Sequence, residues 1–432
     1  MNDLYEVHTH LYGCLDEDDL NWLGSRKSPR WHIYKNSYYN IYKKYPDLEP
    51  LFKNRIFHSQ KLNEQQKKIL RSYYIYNNSK PKGFVHFQLC FDFIIALSHT
   101  DPEELKEISQ RVSYKQKEYY SEYRMMFNPR ISPNEFKEKV FALIEGFSIA
   151  NKNNTKISKL IISLNREYPN YEWQYEILKD IQKKDPDDIL IGIDFAGYEE
   201  NDPPINKKSF IEKVIKDKQF VFLYHVGESF QNKTPSSTIR WIFQVYQWGI
   251  HRLGHATCLA LTEIQIKNKS YREHAKERID HLNFLIELYE SGEKWIPIDY
   301  VQKEKNKITD KNQILNVIYE NKELQLHLDF WNYIINNLKQ SAIIESCPTS
   351  NIRIAGFSPL FFFEKHQFTI CLGADDPGIL NTSLEKEFQI AQSIVSNPEF
   401  IKQIKINNQK YCSMNIFTNM KKQNLMDSLS SS

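Results

Sequence analysis

No apolar run in this sequence approaches the ~20 residues that a membrane-spanning helix requires, so a spanning segment of that kind is excluded. The first residues, Met1-Asn2-Asp3-Leu4-Tyr5-Glu6, have neither a basic start nor a long apolar core, and no secretory signal is expected. Cysteine is sparse. Cys14, Cys90, Cys258, Cys347, Cys371 and Cys412 stand singly, a pattern that argues against a disulfide framework and for a reducing, cytoplasmic location. There is no internal repeat and no long Gly/Ser/Pro linker. One domain over residues 1–425 is therefore expected, followed by a disordered tail over 426–432.

What is present is a soluble-globular balance: 41% hydrophobic and 26% charged residues in a chain of 432. The net charge of +3 hides an asymmetry, because residues 24–82 hold fourteen Lys/Arg against three Asp/Glu, leaving −8 for the remainder. Eight tyrosines are interleaved in that stretch. It reads either as a solvated helical surface or as a cationic, aromatic rim that attracts phosphate.

Eight short, β-branched apolar runs recur, each ending in chemically capable residues: Leu4–His10, Glu122–Phe127, Ile157–Leu164, Ile189–Phe195, Phe220–His225, Arg252–Ala256, Ala342–Ser346 and Phe368–Leu372. Segments with helical periodicity separate them, as in Ile279, Leu282, Leu285, Ile286 and Tyr289. Strand and helix alternating eight times predict an α/β fold, a (β/α)₈ TIM barrel, with its chemistry at the C-terminal ends of the strands. Two connections exceed one crossover. The basic stretch 24–82 lies after the first strand, and an insertion over 267–311 lies between the sixth and seventh.

The first strand ends His8-Thr9-His10. Residues i and i+2 of a strand share a face, so two imidazoles point into the barrel mouth, half of a zinc site. The fifth ends His225-Val226-Gly227-Glu228, adding an imidazole and a carboxylate; helix capping is the plainer reading of that glutamate. The sixth ends in His255, placed for acid–base work, whereas His251 at its other end reads as structural. The eighth runs into Asp375-Asp376-Pro377, a turn on its own terms, or one metal ligand beside one substrate contact. The fourth carries Asp194 but no lysine, which disfavours a carboxylated-lysine bridge and favours one metal.

Taken in order, these residues resemble the adenosine deaminase family of the amidohydrolases. The resemblance rests on His8-Thr9-His10-Leu11-Tyr12-Gly13, Gly192-Ile193-Asp194-Phe195-Ala196-Gly197, His225-Val226-Gly227-Glu228, Arg252-Leu253-Gly254-His255, Cys347-Pro348-Thr349-Ser350-Asn351 and Asp375-Asp376-Pro377. It implies one zinc per chain, held by His8, His10, His225 and Asp375. It implies His255 as the residue that orients and deprotonates a water, and Glu228 as the proton partner of purine N1. Asp376 would meet N7, Gly197 would meet N3, and His10 and Tyr12 would face the substrate. The reaction would convert adenosine or deoxyadenosine to the inosine product plus ammonia. Tyr12 departs from the pattern, since the family's nucleoside deaminases carry Asp there and its adenine deaminases Glu. A phenol is neutral and can donate to phosphate, whereas a carboxylate would repel it; together with the basic stretch after the first strand, this makes AMP, dAMP or ATP the alternative substrate class.

A cytidine-deaminase-type zinc site needs Pro-Cys-x-x-Cys, which Cys347-Pro348 does not supply, and a nucleic-acid partner is not expected. A non-catalytic scaffold is the remaining alternative, disfavoured because the whole ligand set is intact. Some family members act in bacterial antiphage defence within large assemblies, so the resemblance also admits a homo-oligomer formed through residues 267–311.

Overall fold

The structure is a computed structural model, and it describes residues 3–200, 202–229 and 233–430. Eight parallel strands form one sheet in the order β1 (Leu4–His10), β2 (Tyr119–Met126), β3 (Ser158–Asn165), β4 (Leu190–Ala196), β5 (Val221–Val226), β6 (Arg252–His255), β9 (Ile343–Ser346), β10 (Thr369–Leu372). Between β6 and β9 a separate antiparallel hairpin pairs β7 (Ser270–His274) with β8 (Ile314–Ile318). Helices cover the outer face of the sheet, giving the expected TIM barrel.

The strands form where the sequence is apolar on both faces, because one face meets the barrel interior and the other the helices. Closure falls to the site residues themselves. The N–H of His10 donates to the carbonyl of Asp375 (2.8 Å), and the N–H of Asp375 donates to that of His8 (2.8 Å). Asn408 ties the same seam lower down, donating to the carbonyls of Tyr5 and Leu372 (2.7 Å each).

Inside, the barrel is layered. At the N-terminal ends of the strands, Ile161, Ile191, Val221 and Leu223 pack with Phe417, Met414, Ile416 and Met420, so the helix Ser413–Ser430 closes that end. The helix runs on past residue 426, where a disordered tail was expected, to Ser430, although Met426 is exposed and takes no part in this packing. Residues 431–432 lie outside the described residues. Above the plug lies a buried ionic layer. Arg252 donates to Glu345 (2.7 Å) and Glu122 (2.6 Å), and Arg124 donates to Glu345 (2.6 Å). The strand-end histidines sit above that layer.

The two long connections are built into the fold. Residues 24–82 belong to a helical cap that includes Trp31–Tyr42, Glu64–Tyr74 and, following it, Phe84–Leu97. Residues 267–311 form β7 and the helices Ala275–Glu290 and Ile298–Asn306. Glu273 of β7 accepts from the Thr234 hydroxyl (2.7 Å), Glu277 from Trp241 (2.7 Å), and Arg278 pairs with Glu323 (2.7 Å). The first two contacts anchor the insertion to the helix Pro235–Gln247 and its cap, and the third anchors it to the helix Asn321–Leu338.

Candidate active site

At the C-terminal mouth of the barrel the expected residues converge. One ring nitrogen each of His8, His10 and His225 lies within 4.8 Å of the others, and the same holds for Glu228, His255 and Asp375. Asp375 Oδ1 is 3.0 Å from His10 Nδ1 and 3.6 Å from His8 Nε2. Ligands ~2.0–2.1 Å from a tetrahedral zinc lie roughly 3.3 Å apart, which these two separations bracket.

The rings are held from behind. His8 Nδ1 is 2.7 Å from Glu345 Oε2, and His225 Nδ1 is 2.9 Å from Asp194 Oδ2. Each carboxylate fixes the proton on Nδ1 and turns Nε2 into the cluster, the usual support of a metal-binding histidine. His225 Nε2 is buried without any hydrogen-bond partner, an orphan that a cation would satisfy. Arg124, 3.6 Å from Asp194 and bonded to Glu345, offsets the charge of those two acids. The donor set of three imidazoles and one carboxylate thus fits a zinc ion.

His255 is set by Asn351. The Asn351 carbonyl oxygen accepts from the Cys347 N–H (3.3 Å), so its amide NH₂ faces Thr257 Oγ1 (3.0 Å) and His255 Nδ1 (3.3 Å). A neutral His255 therefore keeps its proton on Nε2, which is 3.7 Å from Glu228 and 4.0 Å from Asp375. His255 and Asp375 both adopt a left-handed backbone (φ 64° and 60°), a local cost of about 1–3 kcal/mol each that re-aims their side chains at the mouth.

Two acids are held with raised pKa values. Burial, then the Asp375 charge, pushes Glu228 up to about 7. Burial also pushes Asp376 up to about 7, the charge of His10 opposing and that of Asp375 adding to it. Asp376 Oδ2 lies 3.2 Å from His10 Nδ1, while its Oδ1 is buried and unpartnered. Gly13 makes room for that carboxyl: a Cβ there would sit 1.8 Å from Asp376 Oδ1. His251 stands apart as expected, its Nδ1 accepting from the Phe222 N–H (3.0 Å).

His10, Tyr12, Gly197, His225, Glu228, His255, Asp375 and Asp376 all line one cavity of about 700 Å³. Apolar residues of the cap, Ile33, Phe84, Phe87 and Phe91, line it too. Tyr12 corrects its expected part. Its hydroxyl donates to buried Glu104 (2.8 Å) and accepts from Ser98 (3.1 Å), so it is not free to donate to phosphate. Of the basic stretch 24–82, Arg30 is the one cation among the lining residues. It donates to the Ser98 carbonyl (2.6 Å), and Lys139 donates to Thr100 (3.1 Å), so two cations converge on Ser98–Thr100, with Arg130 lining the same cavity.

Residue roles not foreseen are those of Glu345, Asp194, Asn351 and Gly13. The signal for Glu345 was a carboxylate inside the apolar run Ile343-Ile344-Glu345-Ser346. The other three stood within motifs but had no assigned part.

No protein-family model matches the chain, and no curated protein matches it. Solved structures do. The Arabidopsis protein ADAL complexed with IMP is similar over 100% of this chain and 97% of its own, with a TM-score of 0.57 at 14% identity. Adenine deaminase from Arthrobacter aurescens gives 0.54 at 12% identity, over 98% of this chain and 99% of its own. An amidohydrolase from Burkholderia ambifaria with bound Zn gives 0.53 at 13% identity, over 100% and 93%. These likenesses establish a shared fold.

Proposed function

We propose that the chain is a zinc-dependent hydrolase that removes the 6-amino group of adenine carried on a nucleoside monophosphate. The observation that carries the chemistry is the convergence of His8, His10, His225 and Asp375 with Glu228 and His255, all but the fully buried His8 lining one cavity. A zinc ion held by the first four would lower the pKa of water towards ~7 and so supply a nucleophile at neutral pH.

The remaining steps belong to side chains. Glu228, protonated in the ground state, gives its proton to ring N1 and makes C6 electrophilic. His255 orients the attacking oxygen through its Nε2–H. The hydrogen bond from Asn351 opposes moving that proton to Nδ1, so orientation outweighs proton abstraction in its role. Asp376, when protonated, donates from its unpartnered oxygen to N7, and the backbone N–H of Gly197 faces N3. Glu228, left ionised by that transfer, takes the proton of the added hydroxyl and passes it to the amine, which leaves as ammonia. The proton released when the water ionises restores Glu228, and AMP would become IMP, the ligand of one structural neighbour.

The phosphate is assigned to Arg30, Lys139 and Arg130, which outnumber Glu135 among the lining residues of that part of the wall. Free adenosine or deoxyadenosine is the second reading. It is favoured by the partners that Arg30 and Lys139 already have, the carbonyls of Ile95 and Ser98 for the first and Glu135 and Thr100 for the second. Incubating zinc-loaded protein with adenine, adenosine, deoxyadenosine, AMP, dAMP and ATP, and following the absorbance change of deamination, decides between them. Turnover of AMP above adenosine supports the proposal. Turnover of none removes it.

A further inference from the structure

We infer that Glu199 is a positioning residue for Glu228, the anchor on which the turn carrying that acid is built; this rests on the deaminase reading for its kinetic consequence. Glu199 follows β4, while Glu228 follows β5. The Glu199 carboxylate accepts from three successive backbone N–H groups, those of Gly227 (2.8 Å), Glu228 (3.2 Å) and Ser229 (3.3 Å). Three consecutive amides can aim at one anion only if the chain curls, and Gly227 supplies the curl with a left-handed φ of 72°. A Cβ at that glycine would meet Ile242 at 2.6 Å, so the turn is closed from its other side.

Glu199 is 4% exposed and is not among the residues that line the substrate cavity. It does not touch the substrate, so it reaches the reaction through the turn it holds and through its charge beside Glu228. Its charge is matched by Lys233, whose Nζ lies 3.5 Å away and itself sits over the Trp241 ring. A carboxylate is the suitable group because it offers acceptors alone. A glutamine of the same shape would present its NH₂ to one of the amides and leave buried donors unmatched.

Three explanations of a buried glutamate here make different predictions: volume filling, neutralising Lys233, and holding the turn. Volume filling predicts that Glu199→Gln behaves as wild type. Neutralisation predicts that the double variant Glu199→Gln with Lys233→Met recovers. Holding the turn predicts neither. For that case we expect Glu199→Gln to lower kcat by about 10²-fold with KM within about threefold, since a misplaced acid costs rate rather than binding. Zinc content should stay that of wild type, and hydrogen exchange at the amides of 227–229 should accelerate, with or without Lys233→Met.

Wild-type kcat and wild-type exchange in Glu199→Gln, or recovery in the double variant, would overturn the inference. So would a loss of kcat with exchange unchanged. Should wild type deaminate none of the adenine compounds, the functional reading falls by itself, and the exchange measurement still decides whether Glu199 holds the turn. If Glu199→Gln does not fold, Glu199→Asp gives the same readout, because it keeps the acceptors but withdraws them by one methylene.

Discussion

Asp194 stands 2.9 Å from Nδ1 of His225 and is not itself among the residues that line the cavity. Glu345 bears the same relation to His8 at 2.7 Å. Both acids are held ionised. Burial alone would raise Asp194, but His225 and Arg124 bring it below the ordinary carboxylate range, and Glu345 is lowered in the same way by Arg124, Arg252 and His8. Asp194→Asn and Glu345→Gln should each weaken zinc binding by about 10–100-fold, as losses of such supporting acids do. Competition with a chelator measures it, and wild-type affinity in both would show that the rings need no such support.

Glu228→Gln should keep the zinc and lose ammonia release, by about 10²–10⁴-fold if its part is general acid catalysis. Metal analysis alongside the deamination assay separates the two effects. A variant that retains wild-type turnover removes the role given to this acid.

The pH dependence has a definite sign. Burial raises Glu228 and Asp376 to about 7, and the proposed reaction needs both protonated, the one to protonate N1 and the other to donate to N7. Raising the pH through that value strips both groups. The rate constant kcat/KM should therefore fall on the alkaline side, more steeply than one ionisation gives. A profile flat to about pH 9 contradicts the assignment.

Gly13→Ala tests how Asp376 is housed. The added methyl would occupy the space of the Asp376 carboxyl, and a displacement of about 1 Å can cost ~10²-fold in rate. Because Asp376 Oδ2 also contacts His10, zinc affinity should drop in the same variant. Turnover equal to wild type would mean that the carboxyl position is unimportant.

Tyr12 and Arg130 separate two ideas about phosphate. Tyr12→Phe removes a hydrogen bond to Glu104, so it should lower stability by about 1–3 kcal/mol in thermal or denaturant unfolding while leaving the AMP-to-adenosine preference unchanged. Arg130→Ala should reduce kcat/KM for AMP by about tenfold or more relative to adenosine, the worth of a charged hydrogen bond. The reverse pattern would return the phosphate contact to Tyr12.

The barrel was legible because its strands, buried on both faces, appear as short runs rich in apolar residues that end in chemically capable ones. β6, β9 and β10 agree with the sequence reading to within one residue at either end, and β2 merely starts earlier, at Tyr119. The hairpin of Ser270–His274 with Ile314–Ile318 was not legible. Its first strand reads as polar, and it exists through pairing with a segment forty residues away. The convergence of the metal-site residues was legible for a related reason: strand ends of a barrel meet whatever their separation in sequence. Tyr12 was misread because Glu104, which accepts its hydroxyl hydrogen bond, is 92 positions distant on the helix Pro102–Lys115. Of the two readings of the basic stretch, the solvated helical surface describes most of it, since Arg30 alone among its cations lines the cavity; charge density says nothing about direction.

The seam at Asp375 carries a consequence for how the molecule comes into being. The residue that stitches the final strand to the first by its backbone would also offer its side chain to the proposed ion, 366 positions after Thr9. A nascent chain short of that point has an open sheet and an incomplete coordination sphere together. Ion uptake during refolding should thus track barrel circularisation, a late, long-range event, and serve as a native reporter of it.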